Sequence, residues 1–268
     1  MERIVWKCIL QIRNTSPLVH NITNYVAMNN TANAILAVGA SPVMSHAHPE
    51  IDEMVHICRS VVVNIGTLDE YWTASMIRAA KKANELQKPW ILDPVGAGAT
   101  SYRNNILERL LVLRPTVIRG NASEILALAK YSQITTKGVD STAQSSEAVS
   151  AARYLNREFG SIVCVSGETD IIVAGQQSFH VNNGSTLMTK VTGLGCSASA
   201  VIGAFIAGIE NKAEAVVAAT TLFSIAGEIA AKQADGPGSL QTLLLDKLYN
   251  ITFEEIERLI CVETRNEK

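Results

Sequence analysis

Apolar and polar positions alternate along the first two-thirds of the chain in a rhythm of short β-branched runs and longer helical repeats. Val61-Val62-Val63-Asn64-Ile65 is a short apolar run that stops at Gly66, the pattern of a parallel strand buried on both faces. Helical spacing follows from Asp69 to Leu86. Pro89 then punctuates the chain, and Trp90-Ile91-Leu92-Asp93 reads as the next strand, halted by Pro94. A helix closes over Leu107 to Leu113, and Pro115 precedes strand Thr116-Val117-Ile118. Helices over Ala122 to Ala129 and Ala148 to Phe159 lead to strand Ile162-Val163-Cys164-Val165. This β-α-β-α order predicts an α/β fold with a mostly parallel sheet covered by helices on both faces.

After Ser166 the rhythm changes. Asp170 to Ala174 and Ser178 to Val181 read as a hairpin across Gly175-Gln176-Gln177, an antiparallel addition to the sheet edge, and Asn182-Asn183-Gly184 ends it. From Gly195 onward the pattern is nearly all helix. Met1 to Arg13 shows apolar residues at helical spacing mixed with charge, which reads as a helix and not as a signal peptide. No linker, low-complexity tract or internal repeat interrupts the chain, so residues 1–268 are expected to form one domain.

Composition narrows the class. With 47% apolar and 18% charged residues, the chain can build a sizeable core. A net charge of −2 offers no general attraction to nucleic acid or anionic lipid, so any phosphate binding must come from a shaped local site. The five cysteines are widely spaced with no C-x-x-C, which speaks against disulfides and a structural zinc site and fits a reducing cytoplasm. The apolar stretches Cys196 to Ile209 and Ala213 to Ala231 read as core helices, the first too short to span a bilayer and the second carrying Glu214 and Glu228.

Polar or glycine-rich clusters stand at four predicted strand ends: Asn64 to Thr67, Asp93 to Gly96, Arg119 to Asn121, and Ser166 to Glu168. Ligands of open α/β sheets collect outside the carboxyl ends of strands, so the four imply one crevice. The sharpest feature is Thr192-Gly193-Leu194-Gly195-Cys196-Ser197, directly ahead of a helix. Three readings are open for it. Its small residues could serve close helix packing; Gly193 to Ala198 satisfies G-x-G-x-x-A, though without the strand and acidic residue of a dinucleotide site. The third reading, an anion hole of backbone N–H groups at a helix N-terminus, with Gly193, Gly195 and Cys196 at its centre, fits best. There is no Walker motif and no G-x-S-x-G.

Asp93 is the best candidate metal ligand. Asn121-Ala122-Ser123-Glu124 has the spacing of a capping box, yet Glu124 would face the same crevice, and Mg²⁺ on phosphates needs one or two carboxylates. Arg119 is a candidate phosphate contact. His46 and His48 stand two apart with no clear third ligand and are read as loop residues.

The motifs Pro17-Leu18-Val19-His20-Asn21-Ile22-Thr23-Asn24, Thr31-Ala32-Asn33 and Gly39-Ala40-Ser41-Pro42-Val43-Met44 resemble the N-terminal motifs of the hydroxyethylthiazole kinase family. Leu92 to Gly96, Ile118 to Ile125, Lys137 to Asp140, Met188 to Gly193, Ala226 to Glu228 and Gly236 to Ser239 continue the likeness in order across nearly the whole chain. The resemblance implies a ribokinase-like three-layer α/β/α fold and ATP-dependent phosphorylation of 4-methyl-5-(2-hydroxyethyl)thiazole in thiamine salvage. It further implies Mg²⁺ and a cytoplasmic homotrimer with active sites between subunits. By position, Met44, Gly193 and Asn24 would contact the thiazole; Arg119, Ser166 and Asp93 would serve ATP; and Asp93 and Glu124 would serve Mg²⁺. Cys196 would stand where wider ribokinase-like kinases carry an aspartate base. At a helix N-terminus its thiol is expected to have a lowered pKa, raised again by bound phosphates. The family usually has Thr at Leu194 and at Ser166, and often Phe at Asn30; Leu194 would remove a side-chain donor from the anion hole.

Overall fold

In the computed structural model, which describes residues 1–134 and 144–266, nine strands form one sheet in the order β2-β1-β3-β4-β5-β6-β7-β8-β9. These are β1 (Leu18–Ile22), β2 (Ser41–Val43), β3 (Ser60–Asn64), β4 (Trp90–Asp93), β5 (Val117–Asn121), β6 (Ile162–Ser166), β7 (Asp170–Ala174), β8 (Gln177–Val181) and β9 (Val262–Asn266). The first six pair in parallel, with Asn64 opposite Asp93 and Asn121 opposite Ser166. β7, β8 and β9 add on antiparallel. The motif Lys137 to Asp140 lies outside the described residues.

The helices are α1 (Glu2–Thr15), α2 (Met28–Ala37), α3 (Ile51–Ile57), α4 (Glu70–Glu85), α5 (Ser101–Leu111), α6 (Ala122–Ile134) and α7 (Gln144–Phe159), then α8 (Leu194–Gly208), α9 (Lys212–Gln233), α10 (Pro237–Asn250) and α11 (Phe253–Leu259). They cover both faces of the sheet. Alternate strand residues point opposite ways, so Val62, Ile91 and Val117 pack with α1, α2 and α8 to α10, while Val61, Val63, Leu92 and Ile118 pack with α3 to α7. The predicted rhythm between residues 60 and 181 is present, but α6 runs five residues past Ala129, α7 begins four before Ala148, and β5 ends three past Ile118. Asp69 sits just outside α4 and caps it by accepting from the Trp72 N–H at 2.7 Å.

The pattern missed β1, β2 and β9. β1 carries His20 and Asn21, both buried, so it lacks an apolar run; β2 has only three residues, one a proline. β9 is Val-Glu-Thr-Arg-Asn on an exposed edge, where charge discourages pairing with other chains and erases the apolar signal. Nearly-all-helix after Gly195 is therefore corrected by this final strand.

α8 lies directly on the sheet because Gly203 lets it. A Cβ there would stand 2.3 Å from Val62 Cγ2, and the Gly203 carbonyl accepts from Ser60 Oγ at 2.7 Å. α9 is long and apolar enough to cross a membrane, but 83% of its most apolar stretch is buried inside the molecule, as expected of a core helix. Seated this way, α8 brings its N-terminus to the carboxyl ends of the strands.

Candidate active site

Gly193 closes the approach to α8 with φ +79°, a left-handed turn that a side chain would strain, and a 3₁₀ turn (Thr186–Lys190) precedes it. No strand leads into this turn, which removes the dinucleotide-site reading. Ser197 N–H is the first of the helix to bond back, to the Gly193 carbonyl at 2.9 Å. The N–H groups of Leu194, Gly195 and Cys196 thus begin the helix without intrahelical acceptors, at the positive end of its dipole. Gly195 is exposed there, and a Cβ on it would stand 3.4 Å from Arg119 Nη1.

Beneath this turn runs a polar chain across four elements. Asn24, just past β1, donates from Nδ2 to Asn64 Oδ1 at 2.8 Å and to Cys196 Sγ at 3.3 Å. Asn64 Nδ2 donates to Asp93 Oδ2 at 2.7 Å, and Ser199 Oγ donates to the same oxygen at 2.7 Å. Asp93 is buried, and burial pushes its carboxyl up to about 6, against the pull of Arg119 and the two donors. Ser199 went unremarked in the sequence. Its signal is its place three residues after Cys196, on the same helix face.

The thiol of Cys196 is corrected by this setting. Burial first, and Asp93 second, push it upward, outweighing the Asn24 and Asn64 hydrogen bonds and Arg119. The expected lowering at a helix N-terminus does not prevail, because the carboxylate and the lost solvent outweigh the dipole. Cys196 is therefore a thiol at neutral pH.

Arg119 lies on β5 and donates from Nη1 to the Gly195 carbonyl at 2.9 Å, tying its charge to the glycine turn. Glu124 forms the capping box read from the sequence, accepting from the Asn121 N–H at 2.8 Å while its own N–H donates to Asn121 Oδ1 at 3.0 Å. Its other oxygen accepts from the Gly96 N–H at 3.0 Å, joining the turns after β4 and β5. Ser166 ends β6 beside them. Met44 stands further along the same edge of the sheet, just past β2, where its sulfur accepts from Asn21 Nδ2 at 3.6 Å.

One sequence reading changes. The Leu194 side chain is buried against Ala34, Phe223, Leu244 and Leu248 and does not face the crevice, so it takes no donor from the anion hole. Asn30, beside it, accepts from Gln241 Nε2 at 2.6 Å. His46 and His48 lean on Trp72 and Tyr71, with ring centroids 4.4 and 3.8 Å apart, and no metal-holding group of three His, Cys, Asp or Glu occurs among the described residues. For Mg²⁺ the donor set is two carboxylates already held by protein donors. That fits an ion carried chiefly by phosphates and water and steadied from the protein side, not one caged by side chains.

A parallel sheet ending in a buried aspartate, with a helix N-terminus laid over it, defines a phosphoryl-transfer enzyme of ribokinase-like architecture. A ribokinase-like superfamily protein from Enterococcus faecalis V583 shares the fold at TM-score 0.63 and 14% identity, covering 86% of each chain. The Staphylococcus aureus pyridoxal kinase in complex with pyridoxal shares it at 0.66 and 16%, covering 94% of this chain and 99% of its own. The chain itself belongs to the hydroxyethylthiazole kinase family, whose model matches residues 9–254, and it is a kinase of that family. The hydroxyethylthiazole kinase of Syntrophus aciditrophicus is 54% identical over 96% of both chains, and that of Pyrococcus furiosus 46% over 97% of both. The hydroxyethylthiazole kinase structure from Pyrococcus horikoshii OT3 matches at TM-score 0.91 and 41% identity, covering 99% of this chain and all of its own.

Proposed function

We propose that this protein transfers the γ-phosphoryl group of ATP to the primary alcohol of 4-methyl-5-(2-hydroxyethyl)thiazole, a thiamine salvage step in the cytoplasm. The observation that carries this reading is the α8 N-terminus set over the Asn24–Asn64–Asp93 chain, in a chain of this family.

Free N–H groups of Leu194, Gly195 and Cys196 receive charge on the phosphoryl group in flight, pre-aligned so that little reorganisation is needed. Arg119 and Ser166 hold the nucleotide phosphates. Mg²⁺, when bound, neutralises phosphate charge, with Asp93 and Glu124 on the protein side of it. Asn24, Met44 and Gly193 place the thiazole so that its hydroxyl lies in line. A loose phosphoryl-transfer transition state asks for positioning and charge neutralisation more than for a strong base. Cys196, a thiol tied to Asn24, aligns the hydroxyl and does not take its proton, which passes late to an oxygen of the transferred phosphoryl group as the bond to ADP breaks.

The whole of residues 1–268 acts as one domain in a homotrimer, with each site completed by a neighbouring copy. Tyr25 and Val26, beside Asn24, are 58% and 61% exposed, the kind of apolar surface a subunit contact covers. The test is incubation with Mg-ATP and either the thiazole alcohol or a hydroxymethylpyrimidine, with the phosphorylated product read by mass. Thiazole monophosphate is expected, and Gly195→Val, folded by circular dichroism, should make none. Product from the pyrimidine alone would overturn the substrate, and an active Gly195→Val would overturn the anion hole. Light scattering checks the trimer.

A further inference from the structure

Several cations in this fold are bound to backbone carbonyls, and Lys88, Lys212 and Arg103 serve differently there. Lys88 Nζ donates to the Val55 and Cys58 carbonyls at 2.9 and 2.6 Å, and Lys212 Nζ to those of Ile206 and Ile209 at 2.8 and 2.6 Å. Both close helix C-termini, a structural duty that suits a positive charge. Arg103, in the first turn of α5, closes no helix. Its Nη1 donates to the Ile65 carbonyl at 2.5 Å and the Val95 carbonyl at 2.9 Å, and its Nη2 to the Gly66 carbonyl at 2.7 Å.

These carbonyls belong to the two turns that follow Asn64 and Asp93. The guanidinium's fixed planar fork therefore sets one turn against the other. The neighbouring Asn104 adds to the hold, its Oδ1 accepting from the Gly98 N–H at 2.9 Å. The turn after β3 needs this precision because Gly66 packs directly under Asn24: a Cβ on Gly66 would stand 2.6 Å from Asn24 Nδ2. Asn24 in turn carries Cys196. We infer that Arg103 is a positioning residue for phosphoryl transfer, which fixes the turns after β3 and β4 so that Asn24, Asn64 and Asp93 keep Cys196 and the acceptor alcohol in line.

The inference rests on the kinase reading above, and the wild-type protein in the same assay separates the two: an inactive wild type defeats that reading, not this one. Arg103→Met keeps length and apolar bulk but has no donors. It should lower kcat about tenfold or more, since a misplacement of about 1 Å costs up to about a hundredfold. KM for ATP should change less than kcat, because Arg119 and Ser166 stand on other strands, although Asp93 ends one of the strands whose turns Arg103 joins. Arg103→Lys should recover part of kcat, since an ammonium can serve several carbonyls, as Lys88 does. Gly66→Ala, which presses on Asn24 while Arg103 stays, should reproduce the same kcat loss, and it decides the matter if Arg103→Met does not fold. A merely structural Arg103 would lower Tm and leave kcat of the folded enzyme unchanged. A folded Arg103→Met with kcat within about twofold of wild type, or a fully active Gly66→Ala, overturns the inference.

Discussion

Leu194→Ala separates packing from chemistry at the glycine turn. The leucine is 6% exposed and packs against Ala34, Phe223, Leu244 and Leu248, with a residual cavity of only about 10 Å³ beside it. Truncation removes three carbons from the core, worth about 2.4 kcal/mol at ~0.8 per methylene. The hollow left behind brings the total to about 3–4 kcal/mol, within the range of buried leucine truncations. For a chain of this length each kcal/mol moves Tm by about 2–4 °C, so a fall of about 6–16 °C is expected. Because the side chain points away from the crevice while the Leu194 N–H remains, kcat and KM for ATP at 25 °C should stay within about twofold. Thermal unfolding by circular dichroism and a coupled ADP-release assay read the two quantities on the same preparation. An unchanged Tm with a raised KM for ATP would show that Leu194 faces the phosphates after all.

Cys196→Ala should slow turnover without abolishing it, and Cys196→Asp should remain active; total loss in Cys196→Ala, with ATP binding intact by calorimetry, would refute an aligning role. Asp93 is protonated more readily in the folded chain, near 6, than at its ordinary value of 3.8, so the stability it lends is full below about pH 4 and lost as pH rises through about 6. Urea unfolding across that window should show a fall in wild-type stability that is absent in Asp93→Asn. Equal slopes in the two proteins would refute the assignment.

What was legible in the sequence depended on how local its cause was. The buried strands β3 to β6 announce themselves as apolar runs, and the hairpin of β7 and β8 by its glycine turn. β1 escaped because its buried polar residues find distant partners, and for one side of each group only. His20 Nε2 lies 2.8 Å from the Ser45 carbonyl and Asn21 donates to Thr31 Oγ1 at 2.9 Å, while His20 Nδ1 and Asn21 Oδ1 have no partner among the described residues. The same divide runs through the site. The Glu124 capping box spans four residues and could be read directly. Arg103 meets Gly66 across 37 positions and Ser199 meets Asp93 across 106, so neither contact leaves a local trace. For Cys196 the helix end was visible but the burial was not, and burial set the direction of the thiol's shift. Leu194 shows the reverse error: membership of a glycine turn does not decide which way a side chain points.

Asn64 uses both tips of one amide. Its oxygen accepts from Asn24 Nδ2 and from the Gly66 N–H at 2.9 Å, while its nitrogen donates to Asp93. Aspartate there would set a second carboxylate against Asp93, and leucine would strand donors on one side and an acceptor on the other. Drift at this position is closed unless its neighbours change in concert. Half-buried Met44, out past β2, carries no such double obligation. A substitution at Met44 therefore disturbs one sulfur contact at the end of the sheet, whereas one at Asn64 disturbs three hydrogen bonds under α8.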